Sequence, residues 1–221
     1  MLHITSSPHF KSLFPQFTGA AIFASVRNSE TSEALKADIV ALGEKLQQEY
    51  TTETIKQRAG ILATRQAYKI AGKDPSRYRP ACEQLARRII QGKGLYYVNT
   101  IVDIVNYASL FSSCSTAALD ADHIEGKEIE LDFGQAGEPY EGIGRGVLNI
   151  EHLPVYRDNV GGFATPTSDS TRTMTSLHTK NLLILINGYD GNRENLKATI
   201  EVTVKLLQKY ADGHNFEVAY Y

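Results

Sequence analysis

The chain has 221 residues, 42% hydrophobic and 22% charged, with a formal net charge of −2. That composition is ordinary for a globular domain, and the near-neutral balance excludes a protein that holds polyanions by overall charge. No run of 18 or more apolar residues exists, so no spanning helix and no membrane partner are expected.

Met1 to Phe17 lacks the charged start and continuous apolar stretch of a secretory signal, which makes the cytoplasm the expected location. A chain of this length buries roughly 70% of its unfolded surface. One domain over 1–221 is expected. The two cysteines, Cys82 and Cys114, fit no metal or redox spacing and are expected as buried free thiols. The six histidines form no HxxxH or HExxH pair, so neither a metal nor another cofactor is expected.

In chain order, Gly19 to Val26 is a short apolar run suited to a buried strand. From Thr31 to Tyr50, Leu35, Ile39, Val40, Leu42 and Leu46 follow helical spacing. A second helix is expected over Thr52 to Ala71, with Gly72 as its stop. Asp74 to Pro80 is too rich in proline for regular structure, and Pro80 opens a helix over Ala81 to Gln91 that ends at Gly92. Val98 to Phe111 is the next helix, with Ile101, Val102, Ile104, Val105, Ala108 and Leu110 on its apolar face. Beyond Ser115 the pattern changes. Lys127 to Phe133 alternates as a half-exposed strand, and glycines from Gly134 to Gly146 mark turns between short antiparallel strands. Asn181 to Ile186 reads as a central strand, Arg193 to Tyr210 as an amphipathic helix, and Phe216 to Tyr221 as a closing strand. The expected class is α+β, helical first and sheet-rich afterwards.

Charge is unevenly placed. Between Lys56 and Lys93 ten basic residues face only Asp74 and Glu83. Arg65, Lys69, Lys73, Arg77, Arg79, Arg87 and Arg88, with Tyr68 and Tyr78 among them, are candidates for contact with an RNA backbone, because phosphates reward local charge. The alternative is a set of solvated helix faces paired with acids of the second half.

Arg65-Gln-Ala-Tyr-Lys-Ile-Ala-Gly-Lys-Asp-Pro-Ser-Arg-Tyr-Arg-Pro80 resembles the opening signature of stand-alone B3/B4 domain proteins. The match continues through Asn99-Thr-Ile-Val-Asp-Ile-Val-Asn-Tyr107, Leu119-Asp120, Thr165 to Thr173, and Thr179 to Ile186. It is strongest over 58–207. The resemblance is to the B3/B4 region of the phenylalanyl-tRNA synthetase β subunit. It implies a three-layer fold with a β-sandwich of unusual topology and flanking helices. It further implies tRNA or aminoacyl-tRNA as partner and a pocket that hydrolyses a mischarged tyrosyl ester. Asn106 matches a polar position of that pocket. The family's editing histidine falls at Ala117, and its tyrosine-recognising glutamate near Leu185, so this chain carries neither group.

Thr165, Thr167, Ser168, Ser170 and Thr171 crowd with Asp169 and Arg172 into one loop behind Gly161-Gly162. Such a loop suits an aminoacyl ligand, with Arg172 for a carboxylate or phosphate and Asp169 for an amino group. Its alternative is a turn that satisfies its own backbone. Asn99, Asp103 and Asn106 share one helical face, where capping and a buried polar bridge are the competing roles.

The expected function is a tRNA-binding, editing-related module, with ester hydrolysis in trans as its reaction and no charging of tRNA. A small-molecule, amino-acid-like binder or hydrolase without RNA binding is the alternative. A structural partner of a synthetase is the third reading, and it requires a large exposed apolar patch. The ligand site requires the Asn106 helix and the hydroxyl-rich loop to wall one cavity.

Overall fold

The computed structural model describes residues 2–221. In chain order the elements are β1 (His3–Ser6), α1 (Pro8–Leu13), β2 (Thr18–Ser25), α2 (Glu33–Glu49), α3 (Ala59–Ile70), α4 (Ala81–Ile90), α5 (Thr100–Ser112) and β3 (Thr116–Asp120). They continue with β4 (Glu128–Phe133), β5 (Glu141–Gly142), β6 (Gly146–Val147), β7 (Pro154–Arg157), β8 (Gly162–Ala164), β9 (Asn181–Gly188), α6 (Arg193–Tyr210) and β10 (His214–Tyr220). Among the described residues no helix is long and apolar enough to cross a membrane.

Two four-stranded sheets form the body, ordered β1-β4-β7-β8 and β10-β2-β9-β3, with β5-β6 as a small hairpin. Among the strand pairs of the described residues, only β1–β4 is parallel. The second sheet is covered on both faces, so β9 is buried along nearly its whole length and reads as a continuous apolar run. Ala20, Ile22, Ala118, Leu182, Ile184 and Ile186 point to α2, α5 and α6. The alternate residues Ala21, Ala117, Leu119, Leu183 and Leu185 point to the first sheet, meeting Ile129, Leu131, Tyr156 and Phe163. The order is helices, sheet, sheet: an α+β fold in three layers.

Local chemistry accounts for two departures from the sequence reading. Helix is expected from Thr52, yet a 3-10 turn covers Ile55–Gln57 and α3 starts only at Ala59. Thr51 and Thr54 turn their hydroxyls onto nearby backbone N–H groups, offering the chain an alternative to helix. Arg58 sits in an extended conformation, and its guanidinium donates to the carbonyls of Leu110 and Phe111 at 2.7 and 2.9 Å, a cation on the orphaned last turn of α5. The second departure is the N-terminal segment, where no element is expected. There Ser7 caps α1 through the Phe10 N–H with Pro8 at the first helical position. Phe10 is fully buried and packs its ring against Phe14, Phe17 and Phe133.

The start of α3 abuts the end of α5. A Cβ on Gly60 would lie 2.6 Å from the Ser113 carbonyl oxygen, and Ser113 is itself left-handed at φ 62°. Gly60→Ala is therefore expected to cost about 1–3 kcal/mol by overpacking, read as a lower urea midpoint at unchanged slope.

Candidate functional site

The hydroxyl-rich loop folds over one end of the second sheet. Ser115, Thr116 and Ala117 at the start of β3, Asn187 at the end of β9 and Ala81 at the start of α4 face Thr165, Pro166, Ser168 and Asp169 across a cavity of about 30 Å³. Such a space holds about two waters. Thr165 fixes the loop: its hydroxyl donates to the Ser168 carbonyl and accepts from the Thr167 and Ser168 N–H groups. Thr167 accepts from Tyr68 at 2.8 Å and donates to the Tyr78 carbonyl, while Tyr140 donates to the Ser168 carbonyl. Much of the loop thus satisfies itself and its neighbours.

Asp169 is the exception. Its Oδ1 is out of reach of solvent and has no hydrogen-bond partner, although the residue as a whole keeps some exposure. Burial pushes its carboxyl up to about 7, against a lowering contribution from the Thr165 backbone. A buried carboxyl with one oxygen left without a partner beside a cavity is a group prepared for a cation or a proton.

Opposite it, Asn187 donates to the Ser115 carbonyl at 3.1 Å and accepts from Tyr156 at 2.8 Å. Tyr156 in turn shares a hydrogen bond with Tyr221. This buried chain holds the Asn187 amide in place. Sequence reading overlooks Asn187 and Ser115. The available signal was the one polar residue closing the otherwise apolar run Leu182 to Ile186.

The other expected site residues lie elsewhere. Asn99 caps α5 through the Val102 N–H. Asp103 accepts from Thr31, with its Oδ1 unpartnered, and burial raises its carboxyl against hydrogen bonds from Thr31, Val98 and Asn106. All three sit on α5, in the helical layer, while the loop meets the opposite face of the sheet. The expected single cavity is therefore corrected: the alternation of β3 and β9 side chains puts a full sheet between its two halves. Thr171 and Arg172 line a separate groove. Arg172 is bidentate to Asp158 at 2.8 and 2.9 Å and also donates to the His123 carbonyl, so its guanidinium is already engaged. Burial would raise Asp158, but Arg172 and three backbone N–H groups outweigh it and hold that carboxyl low.

Several expected RNA-facing cations are likewise engaged. Arg65 and Arg87 reach Glu83 at 2.9 and 2.7 Å, with Arg79 at 3.6 Å. Lys73 is buried, donates to the carbonyls of Asn149 and Glu151, and lies 3.8 Å from the Tyr78 ring centre. Arg88 stacks on Tyr96 at 3.7 Å. Lys69 and Arg77 stay exposed. Arg145, exposed and bonded to Gln84, adds a cation near the loop, since Gln84 also reaches the Thr167 carbonyl.

The B3/4 domain model matches residues 63–212. The chain belongs to the B3/4 domain family. That match takes in α4, α5, the loop and β9, hence every wall of the Asp169 cavity. Among solved structures, an N-terminal fragment of the phenylalanyl-tRNA synthetase β-subunit from Pyrococcus horikoshii is similar, at 13% identity and a TM-score of 0.49. That similarity covers 98% of this chain and 50% of the fragment, so the B3/4 chain spans about half of its length. No curated protein matches. Within this B3/4 domain Ala117 and Leu185 are direct register partners on β3 and β9. The two positions that the resemblance assigns to editing groups thus meet as apolar neighbours on one face.

Proposed function

We propose that this B3/4 domain acts as one unit that receives the aminoacylated 3′ end of a tRNA and binds it without hydrolysing the ester. The observation that carries the reading is the unpartnered Asp169 Oδ1 beside a cavity of about 30 Å³. An α-ammonium group is about the size of a water, and it supplies the three donors that a lone carboxylate lacks. The rest of the aminoacyl group lies outside, over Thr116 and Ala81. The exposed Arg145 stands on the α4 side of the loop, where a 3′-terminal phosphate is attracted. Ala117 and Leu185 offer no acid, base or oxyanion donor for ester cleavage.

A second reading is favoured by the engagement of Arg65, Lys73 and Arg87 in internal bonds: the cavity takes a free amino-acid-like ligand and no RNA. One experiment separates the two. A short acceptor-stem hairpin carrying an amide-linked amino acid at its 3′ end is titrated against the protein at low salt, alongside the uncharged hairpin and a free amino-acid ester. The charged hairpin is expected to bind about tenfold more tightly than the uncharged one, with that difference absent in Asp169→Asn. Ester binding with no hairpin binding selects the second reading. Absence of both sinks both.

A further inference from the structure

A depression of about 610 Å³ opens where β2 begins, β10 ends and the first turns of α6 cross them. Its size falls within the usual range for small-molecule sites. It is distinct from the Asp169 cavity and shares no lining residue with it. Phe17, Leu196 and Tyr220 supply apolar wall, and no aspartate or glutamate lines it. The floor is fixed from beneath. The Tyr221 ring passes under Gly19, where an added Cβ would lie 2.3 Å from it, and its hydroxyl is tied to Tyr156 at 2.8 Å.

Two cations rise from α6 on one side. Arg193 and Lys197 are four residues apart, so they share a helix face. Both are exposed, and among the described residues neither forms an ion pair. Tyr220 is 65% exposed, a large aromatic surface left open toward these charges.

We propose that this depression binds a nucleoside monophosphate, the phosphate between Arg193 and Lys197 and the base against Phe17 and Tyr220. Two unpaired cations balance the dianion better than they balance a single carboxylate, and the positive end of the 18-residue α6 adds in the same sense. Aromatic walls suit a planar base of any identity, because every base has a stacking face. The same chemistry occurs in a free nucleotide and at a 5′-phosphorylated RNA end.

The test is calorimetric titration of the full chain with AMP, adenosine, inorganic phosphate and a 5′-phosphorylated tetraribonucleotide. AMP is expected to bind about tenfold or more tightly than adenosine or phosphate alone, because each of those keeps only one of the two contacts. The double variant Arg193→Ala/Lys197→Ala should weaken AMP by about ten- to a hundredfold. Tyr220→Ala should weaken it by about five- to tenfold. These side chains are exposed, and circular dichroism confirms that the variants fold. Tighter binding of the tetranucleotide than of AMP assigns the site to an RNA end, and weaker binding assigns it to a free nucleotide. AMP binding no better than phosphate, or unchanged by either variant, overturns the proposal. Asp169→Asn should leave AMP binding intact, so this site stands or falls apart from the aminoacyl reading.

Discussion

Glu83→Ala is expected to lower stability by about 3 kcal/mol or more. The Glu83 carboxylate is wholly buried and receives Arg65 from α3 and Arg87 from the next turn of α4, with Arg79 close by. Its place in the first turn of α4 adds the favourable end of the helix dipole. Removing it leaves three guanidinium groups crowded without a counter-charge, and these keep only part of their hydration, with side chains 16%, 40% and 21% exposed. Residual contact with water places the cost toward the lower end of the range for a broken buried pair. Glu83→Gln retains shape and some hydrogen bonding and should lose about half as much. Urea denaturation of the two variants checks the order. A loss below about 1 kcal/mol for Glu83→Ala would mean that the arginines are held by their carbonyl partners instead.

The same cluster has a functional consequence. Basic residues are abundant between Lys56 and Lys93, but the fold spends several of them on Glu83 and on carbonyl oxygens. A folded Glu83→Gln protein therefore presents more free cation than the parent. Non-specific RNA affinity at low salt should rise in that variant, and the salt slope should steepen.

How legible the molecule is from its sequence depends on whether local pattern or distant contact sets each element. β2, α2, α4, α5, β9 and α6 carry strong periodicity or clear caps, and the reading places them within a few residues of their observed bounds. β1 and α1 were opaque because His3–Ser6 is a strand only by virtue of pairing with β4, more than a hundred residues away. β7 and β8 are likewise short and defined by their partners. For the site, the Thr165–Asp169 loop was visible as a cluster of hydroxyls, but its convergence with Asn187 was not. Of the Asn99–Asp103–Asn106 stripe, Asp103 and Asn106 lie on α5 and Asn99 caps it. Which face of the sheet that helix would cover is a tertiary fact that helical spacing does not encode. Charge misled for a related reason: Glu83 appeared as one acid against many bases, although a single buried carboxylate can occupy three arginines.

Asp169→Asn should make the protein more stable than the parent at pH 8 and leave it nearly unchanged at pH 4. The carboxyl ordinarily titrates near 3.8 and is pushed up to about 7 by burial. The folded state therefore holds a proton that the unfolded chain releases. Between those values the native form binds more protons, so stability falls as pH rises through this window and levels off above about 7. The full shift corresponds to about 4 kcal/mol as a ceiling. Because the residue keeps some exposure, about 2 kcal/mol is the expected gain at pH 8. The asparagine has no proton to lose and should flatten the profile across the whole interval. Ligand binding then follows with a shape of its own. An α-ammonium ligand needs Asp169 ionised and its own amine protonated, and free amines of that kind titrate near about 7.7. Affinity for the amide-linked hairpin should accordingly peak between these two values and decline on both sides. A profile that rises steadily toward high pH would point to a neutral ligand on Asp169, and equal pH dependence in the asparagine variant would remove Asp169 from the site.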